Sequence, residues 1–146
     1  MSDMPTTILA IYGEFVRRPY YVIVHSQISS THERYDRYLQ GNNLTELLTA
    51  ILTVLSAGRP WIMQKLCELD EIDRRTRPNR KRRYVAQSVE ELYTPESAYL
   101  PSVEYRGCWL GTNADRRQVR QVVELACKAA NVPYDTVRAL PGFIAR

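Results

Sequence analysis

The sequence predicts an α+β fold, a single domain over 1–146 in which a mostly antiparallel sheet of about four strands packs against three to four helices. Three observations predict it. Two β-branched and aromatic runs open the chain. A strongly apolar helical stretch with stop and start signals at both ends follows, and a second pair of strand-like runs leads into a final amphipathic helix. The predicted order is ββααα, a basic loop at about 74–83, then ββα.

Thr6–Tyr12 and Tyr20–His25 are the opening runs, separated by Gly13–Pro19, and they read as an antiparallel hairpin. Neither alternates: Ile8-Leu-Ala-Ile11 and Val22-Ile-Val24 are continuous. Strands apolar on both faces need cover on both faces. Helices supply one side, and a second helix layer or a second copy of the chain supplies the other. This is the ground for expecting a homo-oligomer through the hairpin.

Ser30-Thr-His-Glu33 has the form of a capping box and predicts a short helix to Leu39, closed by Gly41. Asn43–Gly58 is the best-marked helix. Asn43 is a good N-cap with Glu46 three residues on, Gly58 suits the left-handed position after the last turn, and Pro60 forbids continuation. Leu44, Leu47, Leu48, Ile51, Leu52, Val54 and Leu55 cover most of its circumference, so it is a core helix. Bilayer crossing needs about 20 residues, more than it has. A third helix starts at Pro60, carries Trp61, Ile62, Leu66 and Leu69 as its stripe, and ends in the acidic stretch Glu68–Asp73.

Past the basic run, Arg83–Ser88 predicts a strand, Thr94-Pro-Glu96 a single helical turn, and Val103–Leu110 a further strand with Gly107 as a bulge. Gly111–Asp115 is a tight turn in which Thr112 or Asn113 caps the last helix. That helix runs to about Ala130 on a stripe of Val119, Val122, Val123, Ala126 and Ala130, and Asn131-Val-Pro133 stops it. Leu140, Phe143 and Ile144 are expected to dock.

Hydrophobic content of 45% and charged content of 25% are ordinary for a globular protein. Three widely spaced cysteines, Cys67, Cys108 and Cys127, form no Cys-x-x-Cys pair and suit buried thiols in a reducing compartment. The N-terminal Met-Ser-Asp-Met-Pro lacks a basic n-region, and the expected location is cytoplasmic, with no membrane segment. The net charge of +4 is localised. Seven of the 20 basic residues are Arg74, Arg75, Arg77, Arg80, Lys81, Arg82 and Arg83; the remaining 13 stand against 16 acidic residues, leaving the rest of the chain at −3.

Little else points to chemistry. His25 and His32 lack metal-ligand spacing, and no metal or cofactor is expected. Cys108 and His25 on strands of one sheet are the nearest approach to a nucleophile with a base, against the commoner fate of a buried structural cysteine. No Gly-x-Ser-x-Gly, Walker or Gly-x-Gly-x-x-Gly pattern occurs, so no catalytic residue is assigned and the protein reads as non-enzymatic. The Gly111–Asp115 turn offers an anion site from Thr112, Asn113, Arg116, Arg117 and Arg120, because positive charge in a first helical turn opposes the dipole.

The basic run is the strong signal. Six of its seven residues are arginine, whose planar fork suits phosphate and carboxylate, and Tyr84 follows for stacking on a base. The plain alternative is a solvated loop balanced by Glu68, Asp70, Glu71 and Asp73. The first functional expectation is a small nucleic-acid-binding protein holding phosphate backbone without sequence preference through Arg74–Tyr84. The second is an interaction module (adaptor, inhibitor or assembly subunit) docking the same arginines on an acidic partner surface.

Overall fold

The computed structural model describes residues 6–13, 20–77, 80, 82–93, 101–112 and 115–135. Strands β1 (Thr6–Tyr12) and β2 (Tyr20–Ile28) form the expected antiparallel hairpin, with the register slipping between Ile8 and Ala10. The chain then departs from expectation. Ser30–Leu39 is not a helix: Arg34–Gly41 is strand β3, paired antiparallel along the whole of β2. The apparent capping box is the turn between them. Ile28 N–H donates to Glu33 O, His32 N–H donates to Ile28 O, and Thr31 Oγ1 accepts from Glu33 N–H. The hydroxyl that accepts is that of Thr31, inside the pattern, because Ser/Thr side chains satisfy backbone donors in a hairpin turn as well as at a helix start.

Helix α1 (Leu44–Ser56) is capped as its sequence requires. Asn43 Oδ1 accepts from Glu46 N–H at 2.9 Å, and Glu46 Oε1 accepts from Asn42 N–H at 3.0 Å. Gly58 takes φ +74°, which ends the helix at no steric cost. Leu47, Ile51, Leu52 and Leu55 are fully buried. The approach from β3 to α1 depends on Gly41, where a Cβ would stand 2.4 Å from Leu47 N.

Helix α2 (Ile62–Thr76) runs past the acidic stretch and takes Arg74 and Arg75 into its last turn, so the basic loop begins later than expected. After it, β4 is only Val85–Ala86, and α3 (Val89–Leu92) is a short turn capped by Ser88. The Val103–Leu110 run is two strands, β5 (Ser102–Tyr105) and β6 (Cys108–Gly111). Gly107 is no bulge. Arg106 and Gly107 take φ 49° and 84°, the two-residue reversal that matches strand twist in a tight hairpin. Helix α4 (Arg116–Ala130) ends at Asn131 in the left-handed conformation, and β7 (Tyr134–Asp135) pairs parallel with β1. The predicted turn at Thr94-Pro-Glu96 and the docked Leu140, Phe143 and Ile144 lie outside the described residues.

The sheets are β3-β2-β1-β7 and β4-β6-β5. Helix α1 packs on β2 and β3 and against α4; α2 packs on α4, β4 and β6. One continuous buried cluster joins Ile11, Val22 and Val24 of the first sheet to Val85 and Leu110 of the second through all three long helices. The fold is α+β as expected. On the other side of the first sheet a small cluster of Ala10, Tyr12 and Ile23 is separate from this core. No helix among the described residues is long and apolar enough to cross a membrane.

Candidate interaction surface

The basic run divides into a strap and a surface. Helix α2 places Asp70 on its buried side, four residues beyond Leu66, and the carboxylate is fully buried. A buried charge needs partners, and the segment after the helix supplies them. Arg80 Nη2 donates to Asp70 Oδ1, while Asp70 Oδ2 accepts from the N–H groups of Tyr84 at 2.8 Å and Val85 at 3.0 Å. Arg80 Nη1 also reaches Asp73 Oδ2 at 2.7 Å. Its guanidinium lies 3.7 Å over the Tyr84 ring. Arg80 and Tyr84 are both buried. They bind the chain back across α2 and start β4.

The remaining arginines are paired more openly. Arg74 makes two bonds to Glu71, at 2.9 and 2.8 Å, and Arg77 makes two to Asp73, both 2.9 Å. The bond from Arg74 holds the Glu71 carboxyl below the usual carboxylate range, and Glu71 in turn raises Arg74. Arg75 lies 3.5 Å from Glu71 with a side chain 63% exposed; that of Arg77 is 49% exposed. Arg83 is largely covered, donates to Cys67 O at 3.1 Å, and sits 3.7 and 3.8 Å from Glu71 and Glu91. Arg82 stands over the Tyr93 ring at 5.2 Å. Lys81 lies outside the described residues.

Two grooves open along this side. One of about 380 Å³ is lined by Glu71, Arg74, Arg82, Arg83, Glu91 and Tyr93. The other, of about 530 Å³, runs past Cys67, Glu68, Ile72, Arg75, Arg83 and Gln87. Ile72 is 48% exposed beside it. Glu91 was missed in the sequence, because its place beside Arg83 depends on α3 folding over the start of β4.

The other described residues singled out in the sequence lie away from this surface. Asp115, and neither Thr112 nor Asn113, caps α4: its Oδ1 accepts from Gln118 N–H at 2.8 Å and Gln118 Oε1 accepts from Asp115 N–H at 2.9 Å. The helix start therefore carries its own carboxylate, which balances the dipole beside Arg116 and Arg117. Thr112 spends its N–H on Pro101 O, Arg120 lies one turn along α4, and Asn113 is outside the described residues. His25 and Cys108 belong to different sheets. His25 Nδ1 meets Asp36 Oδ1 at 2.8 Å, and the neighbour of Cys108 is Cys67. Among the described residues no three His, Cys, Asp or Glu gather to hold a metal ion.

No family model matches the chain, and neither a curated protein nor a solved structure matches it.

Proposed function

We propose that the protein is a non-enzymatic interaction module that docks a partner protein on the outer side of α2 and α3. One observation carries this reading: Glu71 and Glu91 stand in the groove walls among Arg74, Arg82 and Arg83. A phosphate backbone is anionic along its length, and every carboxylate in its path repels it. A mixed-sign surface with an exposed Ile72 suits a protein partner, where complementary charge sets register and an apolar contact adds affinity. A cytoplasmic setting belongs to the same reading, supported by three free buried thiols.

A photo-crosslinking side chain at Ile72, introduced in cells that make the protein, tests it. The expected result is one discrete adduct, weakened by Arg75→Glu and absent when the probe stands at Lys128 on α4. A smear equal at both positions would end the reading.

Nucleic-acid binding is the second reading, supported by the exposure of Arg75 and Arg77. With Arg80 and Tyr84 buried, about two to three phosphate contacts remain, and log K should fall against log salt with a slope of roughly −2 to −3. Fluorescence anisotropy on duplex DNA, with the Arg75→Glu, Arg77→Glu double variant as control, decides it. Self-association through the hairpin is proposed from Tyr21 and Tyr38, exposed neighbours with rings 6.0 Å apart. Light scattering that reports a strict monomer at high concentration would remove it.

A further inference from the structure

Two cysteine sulfurs from distant parts of the chain lie side by side. Cys67 on α2 and Cys108 on β6 are 41 positions apart, and their Sγ atoms are 3.4 Å apart. Both are free thiols and both are almost fully buried, at 3% and 5% exposure. Cys67 nevertheless forms part of the wall of the 530 Å³ groove, beside Glu68, Arg83 and Gln87. A sulfur pair within one step of bonding, reached through an open groove and flanked by a guanidinium, is the arrangement that thiol–disulfide exchange requires.

We propose that Cys67 and Cys108 form a dithiol site that reacts with low-molecular-weight disulfides and closes to an intramolecular disulfide between α2 and β6. Cys108 first loses its proton to solvent; Cys67, the groove-side sulfur, then passes its own proton across the hydrogen bond to the Cys108 sulfur as it attacks one sulfur of the reagent. The reagent's S–S bond breaks, and the departing thiolate takes up the proton now on Cys108. Cys108, as thiolate, then attacks the Cys67 sulfur, and the second reagent thiol leaves with a proton. The two cysteine sulfurs end oxidised and the two reagent sulfurs reduced.

The surroundings divide these roles. The hydrogen bond from Cys67 holds the Cys108 thiol down to about 7, with Arg83 acting the same way against the burial that pushes it up. The same bond and burial raise Cys67. Cys108 therefore ionises first and is the acceptor for the Cys67 proton, while the place of Cys67 in the groove wall makes it the sulfur that meets the reagent. Cys127 stands apart on α4, where burial pushes its thiol up to about 12, and it serves as the internal control.

Purified protein is incubated with oxidised glutathione, quenched, unfolded, alkylated and mapped by mass spectrometry. The expected result is a Cys67–Cys108 cross-link with Cys127 still alkylatable, and a Tm raised by roughly 8–15 °C through the closed loop. Cys108→Ser should stop at a glutathione adduct on Cys67, and Cys67→Ser should give no product. Should a serine variant fail to fold, the wild-type map decides alone. Thiols left unreacted, a lasting mixed disulfide in the wild type, or a cross-link that lowers Tm would overturn the proposal.

Discussion

Helices α1 and α2 are of similar length, 13 and 15 residues, and are fastened in opposite ways. Apolar burial on most sides holds α1. Its polar groups do local work: Thr49 and Thr53 donate back to the helix, and Thr53 Oγ1 also meets Tyr105 Oη at 2.7 Å. The apolar stripe of α2 is narrower, and its second half is held by a buried carboxylate that organises an arginine and two backbone N–H groups. Burial is divisible, because each leucine contributes its own area. The Asp70 cluster is not, because removing one member leaves the others desolvated and unpaired.

The sharpest way to break this contrast is Asp70→Ala. It strands the N–H groups of Tyr84 and Val85 and leaves the buried Arg80 with Asp73 as its remaining carboxylate, and the expected cost is about 3–5 kcal/mol. Denaturant melts should also show β4 released, read as loss of exchange protection at Tyr84 and Val85. A loss below about 1 kcal/mol would mean that the cluster holds nothing.

Truncation in α1 should be graded. Leu52→Ala and Leu48→Ala each cost roughly 2–5 kcal/mol, with the fully buried Leu52 at the higher end. Equal effects at Thr49→Ala, expected below about 1 kcal/mol, would remove α1 from the core.

Acid should separate the two helices. The depressed carboxyl of Glu71 contributes stability that is present above the ordinary value of 4.5 and lost as pH falls through its lower folded value. Glu71→Gln therefore destabilises at neutral pH, and the gap from wild type closes on acidification; the gap for Leu52→Ala does not. Melts across an acid series read both.

The smallest effect belongs to the exposed arginines. Arg75→Ala should change stability by less than about 1 kcal/mol, since its pair with Glu71 is well solvated. A larger loss in a thermal melt would put Arg75 in the strap.

Features carried by neighbouring residues were legible. Asn43, Glu46 and Gly58 mark α1 because a cap is made within four residues of the helix it serves. The stripe of α4 is equally local, and so is the opening hairpin. The strand β3 was not legible as such. Arg34–Gly41 carries no clean alternation, since Tyr35, Arg37 and Leu39 on one face and Asp36, Tyr38 and Gln40 on the other each mix charge with apolar surface, and its backbone groups are satisfied by β2, which a capping-box reading does not consult. Likewise β7 exists because its backbone meets β1 more than 120 residues away, with Ile11 N–H donating to Pro133 O and Gly13 N–H to Asp135 O.

The arginines mark the same boundary most clearly. Their density and their acidic neighbours were visible, and the pairing of Arg74 with Glu71 follows from one turn of helix once α2 is carried through Thr76. Which arginine would be buried was not visible. Arg80 and Tyr84 are internal because the chain crosses back over α2 to a carboxylate that apolar packing has already drawn inside. A charge brought out of water accepts whichever donors the returning backbone delivers, and that delivery depends on the path of the whole segment. Composition and period therefore foretold the three long helices and the opening hairpin. Chain return settled which charges serve the fold and which face outward.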